Sequence, residues 1–166
     1  MNDKSYLILC VDDEREVLDA VLHDLAFLRS YFELEGAESA EEARQVIEEW
    51  EGEGGKLALI LCDHIMPGMA GVDFLIELKG RESTRASRKL LLTGQAGLEA
   101  TIAAVNRGGL DYYVAKPWQR DALSAVVRDQ LTDYLLEQGP QGAVAYAAVV
   151  NQERLFQALH QQPCDD

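Results

Sequence analysis

An apolar run over residues 57–62 stops at a carboxylate, Asp63, and a Met66-Pro67-Gly68 turn follows. Uninterrupted apolar residues between turn signals suit a strand covered on both faces, the condition of a strand inside a parallel sheet. Such a strand cannot stand alone. Its parallel neighbours each need a crossover, usually a helix, to return the chain to the starting edge. The rest of the sequence meets that demand. Tyr6–Val11 is a second apolar run and ends in Asp12-Asp13-Glu14. Residues 89–93 end at a hydroxyl, Thr93, and residues 111–115 end at Lys116-Pro117. Residues 31–37 are the most polar of the set, which suits an edge strand.

Between these runs, apolar residues recur at the spacing of a helix with one buried face. Val17, Leu18, Val21, Leu22, Leu25 and Leu28 mark a helix over 14–29. Ala43, Val46, Ile47 and Trp50 mark the next, opened by Ser39-Ala40-Glu41-Glu42. That tetrapeptide has the form of a capping box, in which the serine and the glutamate satisfy each other's backbone N–H groups. Val72, Phe74, Leu75 and Leu78 form the third pattern; Leu98, Ile102 and Val105 the fourth. Leu123, Val126, Val127, Leu131 and Leu135 mark the fifth, over 119–137. Five strands alternating with five helices predict an α/β fold: a flavodoxin-like, doubly wound parallel sheet in the order 2-1-3-4-5. Its switch point falls between strands one and three.

Residues 4–137 are read as that one domain. Gly139-Pro140-Gln141-Gly142 breaks the pattern, and 138–166 is read as a linker plus a helical tail carrying Val144, Ala148, Leu155 and Leu159. A segment this short cannot build its own core. The tail is therefore expected to dock on the domain, to pair with a second copy in a homodimer, or to begin a linker.

The formal net charge is −14. Without a basic patch to neutralise phosphates, direct binding of nucleic acid or of an anionic membrane is not expected. No apolar run approaches a membrane span or has the form of a signal peptide. The three cysteines lack CxxC spacing, so neither zinc nor a disulfide framework is indicated. Cys10 and Cys62 lie in apolar runs and are expected as buried thiols, and Cys164 falls in the polar tail. A cytoplasmic location is the expectation.

The strand ends carry the chemistry. In the predicted sheet, strand one delivers Asp12 and Asp13, strand three Asp63, strand four Thr93 and strand five Lys116. Carboxylates gathered at one switch point raise one another's proton affinity unless a cation lies among them. Hard oxygen ligands suit Mg²⁺, which binds phosphate oxygens well. A lysine and a threonine hydroxyl can both donate to a phosphoryl oxygen. The set suits phosphoryl transfer to or from a carboxylate.

Asp12-Asp13, then Asp63 with Met66-Pro67-Gly68-Met69-Ala70-Gly71, then Thr93-Gly94, then Tyr112-Tyr113-Val114-Ala115-Lys116-Pro117 resembles the receiver domain of bacterial two-component response regulators. Each piece is weak alone; all of them in order, at strand ends, make a specific match. The resemblance implies that Asp63 accepts a phosphoryl group from a phosphohistidine on a sensor histidine kinase or phosphotransfer protein. It implies Mg²⁺ held directly by Asp13, Asp63 and the backbone carbonyl of Ile65, with Asp12 acting through water. Lys116 would pair with the phosphoryl oxygens, Thr93 would move toward them, and Tyr113 would turn inward behind it. The face of helix four, strand five and helix five would then change for a downstream output protein. Such a domain is a switch and not a turnover enzyme.

Each residue also has a plainer reading. Asp12 and Asp13 suit the N-terminus of a helix whatever else they do. Thr93 suits a turn, Lys116 a solvated loop and Tyr113 ordinary packing. His64 is read as a residue of the pocket rim, Trp118 as packing for the loop before helix five, and Met66 and Met69 as packing. Two features depart from the resemblance: Ile65 offers no polar side chain, and Gln119 is a poor helix cap. Aspartate-nucleophile phosphatases of the haloacid dehalogenase type also combine acids, Thr, Lys and Mg²⁺. They look for Asp-x-Asp on strand one and usually a cap domain; here the strand-one acids are adjacent, and no room for a cap is expected in this length. A receiver that binds partners without being phosphorylated is the other alternative.

Overall fold

The computed structural model describes residues 4–94, 106 and 109–161. Its five strands are β1 (Tyr6–Val11), β2 (Glu33–Ala37), β3 (Lys56–Cys62), β4 (Arg88–Thr93) and β5 (Tyr112–Ala115). They form one sheet in the order β2-β1-β3-β4-β5, every pair parallel. This is the predicted flavodoxin-like order. The apolar strands β1, β3 and β4 occupy the centre and the polar β2 lies at an edge.

Alternate strand residues face opposite sides of the sheet, so the sheet has two cores. Ile8, Cys10, Leu59, Leu61, Leu90 and Leu92 face one side and Leu7, Leu9, Val11, Ile60, Cys62 and Leu91 the other. Ala58 is an extra residue where the β1–β3 register shifts, so Leu57 and Leu59 face opposite sides. A bulge of this kind changes the phase of a strand. Cys10 and Cys62 are buried free thiols, and burial pushes the Cys10 thiol up to about 12.

The first helix, α1 (Arg15–Asp24), stops short of the predicted end, and Ala26–Ser30 continues as a 3₁₀ turn. Leu25 and Leu28 are both fully buried, and a 3₁₀ turn stacks residues three apart. Tyr31 and Phe32 donate their backbone N–H groups to the Leu28 carbonyl, so β2 begins at Glu33 rather than Tyr31. At α2 (Ala40–Gly52), Ser39 Oγ accepts from the Glu42 N–H at 3.1 Å. The Glu42 carboxylate reaches back to the Glu38 N–H rather than to that of Ser39. The helix α3 spans Gly71–Gly80 and α4, the fifth of the predicted helices, spans Arg120–Gln138. Gln119 caps α4 without a side-chain hydrogen bond. The helix predicted through Leu98, Ile102 and Val105 lies outside the described residues, as does Cys164.

The tail is not one helix. A one-turn helix Pro140–Ala143 and a 3₁₀ turn Val144–Tyr146 precede α5 (Gln152–His160), whose N-terminus Asn151 caps by accepting from the Arg154 N–H. Ala148 therefore falls between helices. Ala143, Val149, Val150 and Leu155 are buried in the same core as α1 and α4. Tyr146 stacks on Phe32 with ring centroids 5.1 Å apart and leans on Tyr6 at 5.9 Å. The tail docks, and its apolar residues complete the sheet's first core.

Candidate functional site

Register builds the site before any side chain is considered. Val11 pairs with Cys62, so the next residues, Asp12 and Asp63, leave the sheet side by side. Thr93 pairs with Ala115, so Lys116 emerges next to Thr93. Backbone bonds carry the alignment one residue further: Asp63 N–H donates to Val11 O at 2.9 Å and Lys116 N–H to Thr93 O at 2.9 Å.

The Lys116 amine bridges two carboxylates. Its Nζ lies 2.9 Å from Asp12 Oδ2 and 3.2 Å from Asp63 Oδ1. Both acids are buried. Asp12 also accepts from the Glu14 N–H at 2.9 Å through its other oxygen, so it helps start α1 while serving the site. The partly exposed Asp13 completes an acidic group in which one oxygen each from Asp12, Asp13 and Asp63 lies within 4.8 Å of the others. Thr93 is buried at the end of β4. Tyr113 is half-buried against the core that contains Met66 and Phe74, whereas Tyr112 is exposed.

The loop from Asp63 to α3 is closed at its base by a bond from Gly71 N–H to His64 O at 2.8 Å. A Cβ on Gly71 would collide with the Asp63 carbonyl oxygen, so only glycine fits this close approach. Gly68 takes a positive φ of 86° at the tip, a conformation L side chains rarely adopt. The Ile65 side chain points outward and is 63% exposed, while Met66 is buried. His64 Nδ1 is buried without a hydrogen-bond partner among the described residues. Trp118 packs on the first core and its indole N–H donates to Asp24 at 2.8 Å, tying the loop after β5 to the end of α1.

These charges are in conflict. Burial, and then the Asp12 charge, hold the Asp63 carboxyl above the usual carboxylate range against the opposing pull of Lys116. For Lys116, burial acts downward but the two carboxylates outweigh it, and its affinity for the proton rises. A buried carboxylate crowded by another carboxylate gains most from an added cation. The donor set consists of hard oxygens, which fits Mg²⁺.

A profile of the response regulator receiver domain matches residues 8–128. The chain belongs to this receiver family. It is 36% identical over 128 residues to the hydrogenase transcriptional regulatory protein HoxA of Cupriavidus necator, covering 77% of this chain and 24% of that protein. It is 28% identical to the chemotaxis protein CheY-3 of Vibrio cholerae, covering 70% of this chain and 84% of that one. A crystal structure of a CheY-like receiver domain protein from Methanospirillum hungatei superposes with a TM-score of 0.68 at 28% identity, over 81% of this chain and 99% of that one. The chain spans about a quarter of the length of the hydrogenase regulators it matches.

Within this receiver, Asp12, Asp13, Asp63, Thr93 and Lys116 gather at one rim, as read from the strand ends. Two contacts of the loops beside that rim were not legible: the tie from Trp118 to Asp24, and a contact from Arg44 to Met69 on the loop after Asp63. Both join residues far apart in the chain and leave no periodic signal. No helix among the described residues is long and apolar enough to cross a membrane.

Proposed function

We propose that this receiver accepts a phosphoryl group on Asp63 and passes the change to a partner protein. The observation that carries this reading is the Lys116 amine held between Asp12 and Asp63 at 2.9 and 3.2 Å. One Asp63 oxygen attacks phosphorus of a phosphohistidine on a sensor kinase or phosphotransfer protein. The phosphorus–nitrogen bond breaks, and its electron pair leaves with the imidazole. Lys116 neutralises charge on the phosphoryl oxygens, and the Thr93 hydroxyl donates to one of them. Asp13, Asp63 and the Ile65 carbonyl would hold Mg²⁺, with Asp12 helping through water, and the ion would supply further neutralisation of that charge.

The acylphosphate converts a crowded carboxylate into a group with more acceptor oxygens, to which Lys116 and Thr93 would donate. That creates charge-assisted bonds at the end of β4 and β5. Thr93 moving toward the phosphoryl group leaves room for Tyr113 to turn inward. The face made by the predicted fourth helix, β5 and α4 is the surface this changes, and an output protein reads it. The chain acts as a switch in this reading, with self-phosphorylation and slow loss of the phosphoryl group as its only chemistry.

Acetyl phosphate with Mg²⁺, or beryllofluoride with Mg²⁺, tests the proposal. Intact-protein mass after acetyl phosphate is expected to show one phosphoryl group, mapped to Asp63. Asp63→Asn is expected to remove it while the circular dichroism spectrum stays unchanged. Uptake that persists in this variant defeats the assignment. Repeated turnover of an external phosphate ester would instead indicate a phosphatase.

A further inference from the structure

The loop after Asp63 is gripped from a helix that does not belong to the acidic rim. On α2, the Arg44 guanidinium donates to both carboxylate oxygens of Glu77 on α3, from Nε at 2.7 Å and from Nη2 at 3.0 Å. The same Nη2 donates to Met69 Sδ at 3.1 Å. The guanidinium carbon lies 5.4 Å from the centre of the Phe74 ring. Phe74 and Glu77 are three apart on α3 and therefore share a face. A planar guanidinium held through Nε and Nη2 and laid over a ring has one orientation. Its contact with Met69 is therefore fixed in direction.

The ion pair alone does not explain the arrangement. The Arg44 and Glu77 side chains are 33% and 34% exposed, and pairs open to solvent contribute at most about 1 kcal/mol. Met69 gives the contact a second consequence, because it stands on the segment that links Asp63 to α3. That segment also carries the Ile65 carbonyl. Its base is closed by Gly71 and His64, and Met66 is buried near its start. Arg44 supplies a polar grip on its far half.

We propose that Arg44 is a positioning residue for phosphoryl transfer at Asp63. Through Met69 it holds the loop over 64–70 in the geometry that transfer requires. This inference rests on Asp63 being the phosphoacceptor. With acetyl phosphate as donor, one Asp63 oxygen forms a bond to phosphorus. The bond from phosphorus to the acetate oxygen breaks, and acetate leaves with the electron pair. Arg44 touches none of these atoms, and its effect is on where the loop stands when they react.

The test is a double-mutant cycle on the full chain with acetyl phosphate and Mg²⁺, reading the rate of phosphoryl uptake by intact mass. Arg44→Gln and Met69→Leu are each expected to slow uptake about fivefold, as small misplacements near a reacting group do. Arg44→Gln added to Met69→Leu is expected to slow it no further, because the path through sulfur is already cut. A merely structural Arg44 would not give that pattern, since its pair with Glu77 survives in Met69→Leu. Uptake by Arg44→Gln within about twofold of the wild type, or single losses that multiply in the double variant, overturns the proposal. Absence of uptake in the wild type would refute the phosphoacceptor reading instead. Amide hydrogen exchange over 64–70 then decides the grip itself: faster exchange in Arg44→Gln supports it, and unchanged exchange overturns it.

Discussion

Two lysines lie at opposite ends of β4 and β5, and their surroundings differ in kind. Lys116, just past the carboxyl end of β5, is held by two carboxylates. Lys89, near the start of β4, is 1% exposed. Its amine donates to three backbone carbonyls, those of Ser87 at 2.6 Å, Thr84 at 2.8 Å and Arg85 at 3.2 Å. Burial pushes the Lys89 amine down to about 8, with only part of the loss offset by Asp111. Lys116 moves the other way. Carbonyl dipoles orient an ammonium but do not offset its desolvation as full opposite charges do.

The contrast separates structure from signalling. At the lower end, one amine gathers the turn over 84–87 and fixes the start of β4. At the upper end, the amine is shared between acids, one of which is held above its ordinary proton affinity by its neighbours. Under the proposed function, that is where an added cation or phosphoryl group would change the balance of charge. The same residue type thus serves as a tie where its partners are fixed dipoles and as a contact point where its partners are charges.

The largest expected effect tests the functional side of the comparison. Lys116→Met is expected to reduce the rate of phosphoryl uptake about 10²–10³-fold, the usual cost of removing one preorganised donor. Lys89→Met is expected to leave that rate near the wild-type value. A comparable loss in both variants would erase the distinction between the two ends. The next effect reverses the order. Lys89→Met takes the shared donor away from buried carbonyls, at about 1–3 kcal/mol for a polar group left unpaired. Urea unfolding at neutral pH is expected to show this as a lower midpoint, and an unchanged midpoint would remove Lys89 from its structural role.

The upper rim can be resolved further by its acids. Asp12→Ala is expected to weaken Mg²⁺ binding about tenfold, the low end for a group acting from behind the direct ligands, and Asp13→Ala by more. Calorimetric titrations giving the reverse order would exchange their roles. The smallest effect is the pH dependence of Lys89. Its folded value of about 8 lies below the ordinary 10.5, so between these limits the unfolded chain holds a proton that the folded chain has lost. Its contribution to stability therefore rises with pH across that window. The wild type is expected to gain stability relative to Lys89→Met from pH 8 toward 10. A relative loss there would contradict the direction of the shift.

How much of this was legible beforehand differs between the same two ends. Strand ends that stop at Asp12, Asp63, Thr93 and Lys116 are marked in the chain, because an apolar run and its terminating polar residue are neighbours. Lys89 carries no such mark. It begins an apolar run and gives no hint that backbone carbonyls will surround it. The tail shows the same limit: Val144, Ala148, Leu155 and Leu159 have helical spacing, yet the chain turns between them so that Val149 and Val150 are buried. Core burial there overrides the period of a single helix.

The sequence by itself determined the number of layers, the order of the strands and which charged residues leave their ends, because these follow from local apolar period and the demands of a parallel crossover. Only the tertiary structure decided that the Lys116 amine stands between two carboxylates, one of them 104 residues away. It alone decided that Arg44 reaches Met69 and that Lys89 is enclosed. These are meetings of long side chains across separate elements, and their partners are chosen by register and helix placement, which no local pattern of residues encodes.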